Sequence, residues 1–591
     1  MLDALDAAVA YPSRAEQVAF RVKVTLFQLR RGLINWLRPV RRYRVGEALA
    51  EQAVVAESMI AESVIAESVT ALWTSHEAGE RDLIAGKIHN LRLAVQAIHG
   101  IELPAGATFS FWAQVGCPTR RKGYVDGREL RQGCVVPSVG GGLCQLSNAL
   151  YSAALDAGLE IVERHAHTRI IPGSLAEVGR DATVFWNYVD LRFKTARPLR
   201  IEAVLTGEAL VVRFRGQSGP VETAVEAEEF KTVARPLATS QSCLSCGVTA
   251  CSRSRPQVEP SPSGLTAYLL DEYWPEFDAW IQQQRQATDL LAIPLDGNRW
   301  HKPNYAWTLN GFSSVKQARR VTFRRALASR RLAAQGSARQ QMLLNSDRRL
   351  AQFYAAQLDY RILHCVVAQT LLPFLWQSGA LGGRSFDVLM TRLPLFALQA
   401  ELDRAYQAHP ASPTLNDFRV DPTLVEAERQ ALEAAHQIVT PHRAIASLYP
   451  QKTILLDWQL PPAPAGVATG TAILFPASTL GRKGAYELRQ AAQTLGLKLR
   501  VLGQPLEGDD FWNGVTLEPA AADPLSGVGL VVLPAYVEHR PLLLLRAVAA
   551  GVPVIASEAC GLGELRGVIS VATGDAAGLQ AALAEFCRST S

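Results

Sequence analysis

Apolar positions recur at helical spacing directly after a run of glycines. The spacing i, i+3, i+4, i+7 and i+8 is occupied by Leu146, Ala149, Leu150, Ala153 and Ala154. Residues at this spacing share one face of a helix. The sequence therefore predicts a helix that begins near residue 144 and buries one apolar stripe, with Gly158 as its stop.

Other stretches predict strands, and their order along the chain changes. LRIEAVLTG and ALVVRFRG are separated by a short turn and predict a hairpin. Towards the C-terminus, TAILFP, LKLRVLG and VGLVVLP alternate with long helical patterns such as VDPTLVEAERQALEAAHQIVT. This alternation indicates parallel sheets covered by helices. The AES repeat in VVAESMIAESVIAESVTALW drifts around a helix surface, and we interpret it as a plain Ala/Glu-rich helix.

The length of 591 residues is too great for one core and predicts several domains. Residues 219–262 are first acidic and then rich in Ser, Cys and Pro, as in a linker. The expected organisation is a sequence of five segments: a basic segment 1–45, an α+β domain 46–218, the linker 219–262, and two α/β halves 263–460 and 461–591.

Charge is concentrated near the N-terminus. From Pro12 to Arg44 there are nine basic residues against one acid, interleaved with Phe, Leu, Ile and Trp. Such a helix suits an anionic membrane surface, or alternatively docks on the rest of the protein. The net charge of +5 argues against a general nucleic-acid binder. With neither an apolar run of spanning length nor a signal-peptide pattern, the expected location is cytoplasmic, peripheral to the inner membrane face.

Cys144 stands at the start of the predicted helix. Free N–H groups and the helix dipole there favour an anion and lower a thiol pKa below about 8.5. Gly140, Gly141 and Gly142 precede it and would let a substrate approach the backbone, and together with Gln145 they are predicted to bind substrate. The alternative is a buried structural cysteine after a glycine turn.

Five ordered blocks between about residues 70 and 217 resemble the VanW family, named for an accessory protein of vancomycin resistance. They are LPAGATFSFW, RRKGYVDG, GGGLCQLSNALYSAAL, VERHAH and GRDATVFWNYVDLRFK. The resemblance implies Cys144 as the nucleophile of a transpeptidase-like reaction on a peptidoglycan-type precursor.

A cysteine nucleophile needs a base, and His165 and His167 follow the predicted helix in ERHAHTR. On a strand, both would point to one face. Asp181 could orient one imidazole. Alternatively, one histidine is a core residue and Asp181 caps a turn.

From about residue 350 to the end, the chain resembles a retaining GT-B glycosyltransferase that uses a nucleotide sugar. The resemblance rests on FDVLMTR, HPASPTLNDFRVDP, EAAHQIVTPH, GRKG, VLPAYVEHRPLLLLRAVAAGVPVIAS and ACGLGE. It implies two Rossmann-like layers, with Lys483 binding the donor phosphates and Glu538 the sugar or ribose hydroxyl. Arg546 stands where the family carries a second Glu, and an arginine cannot accept a ribose hydroxyl. A degenerate binding module is the alternative.

CLSCGVTAC places Cys243, Cys246 and Cys251 within the linker. The C-x2-C spacing is typical of zinc and iron–sulfur sites. The fourth ligand is open, with Cys117 and Cys134 as candidates, and the alternative is a redox or accidental cluster. Cys365, Cys560 and Cys587 are interpreted as structural.

Taken together, these patterns predict a fusion that works in cell-envelope glycan assembly. Its expected partners are a nucleotide-sugar donor, an envelope or lipid-linked acceptor, and an anionic membrane. The activities in view are sugar transfer, thiol chemistry at Cys144, or non-catalytic scaffolding.

The cysteine cluster generates a direct test. Protein purified without oxygen should contain about one metal ion or cluster per chain, because three thiolates at this spacing form most of a tetrahedral site. Elemental analysis should show this metal and its loss in Cys246→Ser. Metal-free wild-type protein, equally stable and with all three thiols reactive, would contradict the prediction.

Overall fold

The computed structural model describes residues 14–37, 40–43, 63–73, 80–131, 134–167, 175–217, 265–332, 336–417, 419–462, 470–519 and 521–590. The chain divides into two compact units, each with its own hydrophobic core. The first comprises Met1–Gly264, Asp359–Leu363 and Gly382–Arg384. The second comprises Leu265–Leu358, His364–Leu381 and Ser385–Ser591.

Up to residue 217 the structure combines helices with antiparallel strands. The helices are α1 (Arg14–Leu37), α2 (Arg81–Gln96), α3 (Phe111–Val115) and α4 (Cys144–Asp156). The strands are β1 (Ser63–Ala71), β2 (Ile101–Leu103), β3 (Thr108–Ser110), β4 (Asp126–Arg131), β5 (Cys134–Val139), β6 (Glu160–Glu163), β7 (Arg192–Lys194), β8 (Leu199–Leu205) and β9 (Ala209–Gly216). They form a sheet in the order β1-β9-β8-β2, a second in the order β3-β7-β6, and the hairpin β4-β5. This is the predicted α+β class.

Two of the predicted elements are confirmed here. The strands β8 and β9 form the expected hairpin and pair from Arg200 with Arg215 to Leu205 with Leu210. The apolar stripe of α4 is fully buried at all five predicted positions. In both elements the periodicity of the sequence matches the face that is covered.

The predicted Ala/Glu-rich helix is wrong where the structure describes it, because residues 63–71 form β1. This strand pairs antiparallel with β9. Ala66 and Ser68 are buried while Glu67 and Val69 are exposed, which is the period-two alternation of a strand. The helix propensity of Ala and Glu is weak, and pairing with β9 overrides it. Residues 54–62 of the same stretch lie outside the described residues.

Asn90 ties α2 to the hairpin and to the glycine turn before α4. Its side-chain amide donates to the carbonyls of Val125 and Gly141, at 3.0 Å each, and its Oδ1 accepts from the Val125 N–H at 3.0 Å. The residue is completely buried. Buried backbone groups need such partners. The Asn90 side chain therefore holds the glycine turn that directly precedes Cys144.

From Leu265 onward the chain alternates strands and helices. The helices are α5 (Pro275–Gln284), α6 (Arg319–Arg331), α7 (Ser337–Ala355), α8 (Leu372–Gln377), α9 (Leu395–Ala408), α10 (Pro422–Ala434), α11 (Arg443–Leu448), α12 (Ala485–Leu495), α13 (Leu542–Ala549) and α14 (Ala576–Thr590). The strands are β10 (Leu265–Leu269), β11 (Leu290–Ile293), β12 (Ser314–Gln317), β13 (Ile362–Ala368), β14 (Ser385–Leu389), β15 (Gln437–Thr440), β16 (Thr453–Leu455), β17 (Ala472–Phe475), β18 (Lys498–Val501), β19 (Thr516–Glu518), β20 (Val528–Leu533), β21 (Val554–Ser557) and β22 (Val568–Val571).

Parallel pairs build two sheets from these strands. The first has the order β12-β11-β10-β13-β14-β15-β16, and the second has the order β19-β18-β17-β20-β21-β22. In each sheet the chain starts in the middle, adds strands on one side, and then returns to add strands on the other. The prediction of two Rossmann-like layers is confirmed. The points where the order reverses, between β10 and β13 and between β17 and β20, are where such sheets bind ligands.

The role of Asn90 can be tested by its removal. Asn90→Ala removes the side-chain partner of the Gly141 carbonyl and of the Val125 N–H, whereas the Val125 carbonyl still accepts from the Gly140 N–H, and the substitution should lower the free energy of unfolding by about 1–3 kcal/mol. Arg81→Ala, at an exposed position of the same helix, should change it by less than about 0.5 kcal/mol. Chemical denaturation of both variants measures the difference, and equal stabilities would refute the role assigned to Asn90.

Candidate functional site

Cys144 is the first residue of α4 and is half-buried. The chain starts to coil just before it, since the N–H of Gln145 donates to the Gly142 carbonyl at 3.0 Å and that of Leu146 to Leu143 at 3.1 Å. The thiol therefore stands in the first turn of the helix. Free N–H groups and the dipole at that end favour its anionic form.

The three glycines before Cys144 fit closely against the protein's own chain. Gly140 and Gly142 have φ of +77° and +97°, which disfavour other residues. A Cβ on Gly141 would lie 2.5 Å from the Gly127 carbonyl oxygen, and one on Gly142 would overlap Lys87. The close approach that these glycines permit is thus to the β4-β5 hairpin and α2.

The thiol of Cys144 faces the segment 183–184. Its Sγ lies 3.6 Å from the Thr183 hydroxyl and 3.8 Å from the Val184 carbonyl oxygen. Burial alone would raise the pKa of Cys144, but hydrogen bonding to His167 and the charge of that imidazole outweigh burial and lower it. The site thus favours a thiolate.

His167 stands between this thiol and a buried carboxylate. Its Nδ1 lies 2.5 Å from Asp181 Oδ1, and its backbone N–H donates to Asp181 Oδ2 at 2.5 Å. Nε2 is the ring nitrogen left for Cys144. Burial would lower the pKa of His167, but Asp181 and Cys144 together raise it to about 10. The pKa of Asp181 is lowered from its ordinary value by the same pairing, against the effect of burial.

Polar side chains one turn after Cys144 hold the carboxylate segment in place. The Asn148 side-chain oxygen accepts from the Ala182 N–H at 2.8 Å, and the Ser147 hydroxyl donates to the Ala182 carbonyl. Arg164 Nε donates to the Asp181 carbonyl at 2.6 Å. Sequence reasoning missed these residues. The available signal was the adjacent polar pair Ser147 and Asn148, which interrupts the apolar stripe between Leu146 and Ala149.

His165 lies apart from the thiol, with its Nε2 3.3 Å from Glu163 Oε1. The expectation that both histidines share one face of a strand is wrong, because β6 ends at Glu163 and residues 164–167 have no regular structure. The period-two argument therefore does not apply. The structure brings Cys144, His167 and Asp181 together and leaves His165 exposed.

Gln145 points to β1 and not to the thiol. Its Nε2 donates to the Thr70 hydroxyl at 3.0 Å and to the Ala71 carbonyl at 2.8 Å. These bonds fasten the start of α4 to the edge of the four-stranded sheet. Gln145 was predicted to bind substrate, and in the structure its side-chain amide bonds to β1.

Lys483 and Glu538 meet at a topological switch point of the second unit. Lys483 follows β17, Glu538 follows β20, and these strands are parallel neighbours. Lys483 Nζ lies 2.8 Å from Glu538 Oε2 and donates to the Val537 carbonyl at 3.0 Å. Burial would raise the pKa of Glu538, but the Lys483 ammonium and His539 lower it to about 2. The pair is therefore charged and sits where parallel sheets bind ligands.

Arg546 lies on α13 and forms an outer contact instead of facing this pair. Its Nη2 is 3.8 Å from Asp523 Oδ1, and both side chains are well exposed. Arg482, which precedes Lys483, is buried, and burial lowers its pKa to about 10. Sequence reasoning missed Arg540, whose Nη1 lies 3.4 Å from Glu272 Oε2. The sequence signal that could have pointed to a partner for Arg540 was Glu272, an acidic residue shortly after β10.

The predicted metal ligands Cys243, Cys246 and Cys251 lie outside the described residues. Across the ranges that the structure describes, no group of three or more His, Cys, Asp or Glu could hold a metal ion. Of the cysteines interpreted as structural, Cys365 and Cys560 are buried and Cys587 is half-buried. Within the same ranges, none of the helices combines the length and apolar character needed to cross a membrane.

Comparisons with known proteins match part of the first unit. The family model described as VanW like protein matches residues 86–215. The uncharacterized protein YoaR of Bacillus subtilis (strain 168) is 40% identical over 126 residues, which is 21% of this chain and 41% of YoaR. The vancomycin B-type resistance protein VanW of Enterococcus faecalis (strain ATCC 700802 / V583) is 34% identical over 111 residues, 18% of this chain and 40% of that protein. The chain spans about two fifths of the length of these relatives.

Solved structures align with just over half of the chain. Sucrose-phosphate synthase from Thermosynechococcus elongatus is 15% identical, with 55% of this chain and 90% of that chain covered and a TM-score of 0.33. Anabaena Alr3699/HepE in complex with UDP and glucose is 13% identical, with 56% and 91% covered and a TM-score of 0.33. The fold of the second unit follows from its own strand order.

The chain from Leu265 onward thus forms two Rossmann-like α/β layers, and residues 86–215 are a VanW-like domain.

Proposed function

We propose that the VanW-like domain is a cysteine-dependent acyltransferase. The observation that carries this proposal is the arrangement of Cys144, His167 and Asp181. A thiol at a helix start interacts electrostatically with an imidazole, which a buried carboxylate orients through Nδ1. Nucleophile, base and orienting acid in this order define nucleophilic acyl transfer.

In the first step the Cys144 thiolate attacks the carbonyl carbon of an acyl donor. The C–S bond forms while the carbonyl π electrons move onto oxygen. As the tetrahedral intermediate collapses, the bond to the leaving amine breaks and His167 gives its Nε2 proton to that amine. Asp181 keeps the imidazolium in place, and an acyl thioester remains on Cys144.

In the second step an acceptor amine or water attacks the thioester. His167 takes the proton from the attacking group, the C–S bond breaks, and the thiolate is restored. An amine acceptor gives transpeptidation and water gives hydrolysis. The substrate class we propose is a peptide-bearing envelope precursor of the peptidoglycan type, supported by the likeness to a vancomycin-resistance protein.

Alkylation rate against pH tests the thiolate. Because the pKa of Cys144 is lowered, reaction with iodoacetamide should persist well below the unperturbed thiol pKa of about 8.5. Cys144→Ser should remove this reaction. His167→Ala should shift its pH profile upward, since the imidazole that stabilises the thiolate is lost.

His165→Ala is the matched control and should leave the profile unchanged, because His165 pairs with Glu163. A wild-type thiol that reacts only near its ordinary pKa, or equal shifts in both histidine variants, would end the acyltransferase proposal.

We further propose that the second unit transfers a sugar from a nucleotide donor in envelope glycan assembly. The supporting observation is the charged pair Lys483–Glu538 at the switch point between β17 and β20. A donor diphosphate would replace Glu538 as the ion-pair partner of the Lys483 ammonium, and the Glu538 carboxylate would accept a hydrogen bond from a sugar hydroxyl. Arg546 contacts Asp523 on the outside of α13 and does not pair with Lys483 or Glu538. The Lys483–Glu538 pair therefore does not depend on the residue that replaces the family's second Glu.

Nucleotide-sugar binding can be followed by thermal shift. UDP-glucose should raise the unfolding temperature of the wild type, because a ligand that binds only the folded state stabilises it. Lys483→Ala and Glu538→Gln should each abolish most of this shift. Lys498→Ala, at an exposed position on β18, should retain it. A wild type unmoved by any nucleotide sugar would leave only the non-catalytic scaffold for this unit.

A further inference from the structure

The helix α1 is mounted on the first unit by its polar face. Gln28 Nε2 donates to the Trp186 carbonyl at 2.7 Å, Arg31 forms an ion pair with Glu163, and Asn35 Oδ1 accepts from Arg192 at 3.1 Å. Successive residues of a helix are rotated by about 100°, so Gln28, Arg31 and Asn35 share one side. The side opposite is left to solvent.

That opposite side is apolar. Six large apolar residues fall within an arc of about 100° on it. They are 54–77% exposed, and they are Val22, Leu26, Leu29, Leu33, Trp36 and Leu37. We call this set the α1 stripe. Single exposed apolar residues are common on protein surfaces, but a continuous stripe of this length marks a surface that another body covers.

The charge around the α1 stripe selects its occupant. Lys23 and Arg30 are exposed along one border of the stripe, and Arg41 and Arg42 are exposed just beyond the helix. Within residues 12–44 the sequence carries nine basic residues and one acid. Apolar side chains bordered by cations fit the boundary between acyl chains and anionic headgroups.

We infer that the α1 stripe inserts into the surface of an anionic lipid bilayer, with α1 lying in the plane of the interface. The sequence indicated such a contact from its basic residues and the apolar residues interleaved with them. The structure adds which face enters the lipid and how the opposite face is fastened to the protein.

The attachment of α1 also places the cysteine site. Its partners Glu163 and Trp186 belong to the segments 163–167 and 181–188, which carry His167 and Asp181. Phe27 stacks on Tyr188 of the second segment, with ring centroids 5.8 Å apart. A bilayer against α1 would therefore hold the site beside the lipid surface, where a lipid-linked precursor is presented. This last step rests on the proposed acyl transfer, whereas the membrane contact does not.

Flotation of the full-length chain with phosphatidylcholine vesicles, with and without phosphatidylglycerol, tests the inference. The wild type should float with the anionic vesicles, and added salt should weaken binding because it screens surface charge. The double variant Leu29→Glu with Leu33→Glu should bind at least about tenfold more weakly, since charged groups resist insertion. Lys23→Glu with Arg30→Glu should lose most of the salt-sensitive part.

Leu448→Glu, a substitution at an exposed position of α11, is the matched control and should bind like the wild type. Cys144→Ser should also bind normally, which separates this contact from the acyl-transfer proposal. Unchanged circular dichroism would confirm that the variants fold. The inference is overturned if the wild type does not bind anionic vesicles or if the stripe variant binds equally well. It is likewise overturned if the stripe variant binds vesicles like the wild type but has a different oligomeric mass in solution, because the α1 stripe would then be a contact between copies of the chain.

Discussion

Asp181 accepts both the backbone N–H and the Nδ1 of His167 while it is itself almost completely buried. A carboxylate removed from water needs such partners, and His167 supplies two of them from a segment without regular structure. This double contact fixes the position of the imidazole and leaves Nε2 for the thiol. The lowered pKa of Cys144 and the raised pKa of His167 both depend on it. Without Asp181, the imidazole would lose its orientation and its largest source of positive charge stabilisation.

The rest of the first unit supports this contact from the other side. The glycine turn packs on Gly127 and Lys87, and Asn90 bonds to its carbonyl, so α4 begins at one defined place. Ser147 and Asn148 then join α4 to the segment that contains Asp181. Close packing and buried hydrogen bonds thus convert a local sequence, GGGLCQLSN, into a positioned nucleophile.

Much of this could be predicted from the sequence, because periodicity records which face is buried. The stripe of α4, the β8-β9 hairpin and the alternation that builds the parallel sheets are all patterns of this kind. The choice of partners could not be predicted in this way. Nothing local distinguishes His167 from His165, since the difference arises from Asp181, fourteen residues away in the chain. The strand β1 was missed for the same reason, because its conformation depends on pairing with β9.

The second unit shows the same division between pattern and contact. Strand and helix alternation predicted its layers, and the GRKG turn pointed to Lys483. The ion pair with Glu538 appears only once β17 and β20 lie side by side. Both candidate sites therefore join residues that are distant in sequence, and in both sites the fold brings the charged partners together.

Histidine side-chain NMR over a range of pH tests the central claim most directly, because it reports the protonation of one imidazole without any substrate. Full-length protein with labelled histidine, assigned by comparison with His167→Ala, should show the His167 resonance titrating near 10 and not near the ordinary 6.5. Asp181→Asn should move that titration downward, since the carboxylate that stabilises the imidazolium is gone. A wild-type His167 that titrates at or below 6.5 would contradict the account, because no imidazolium would then be present to hold the Cys144 thiolate at neutral pH.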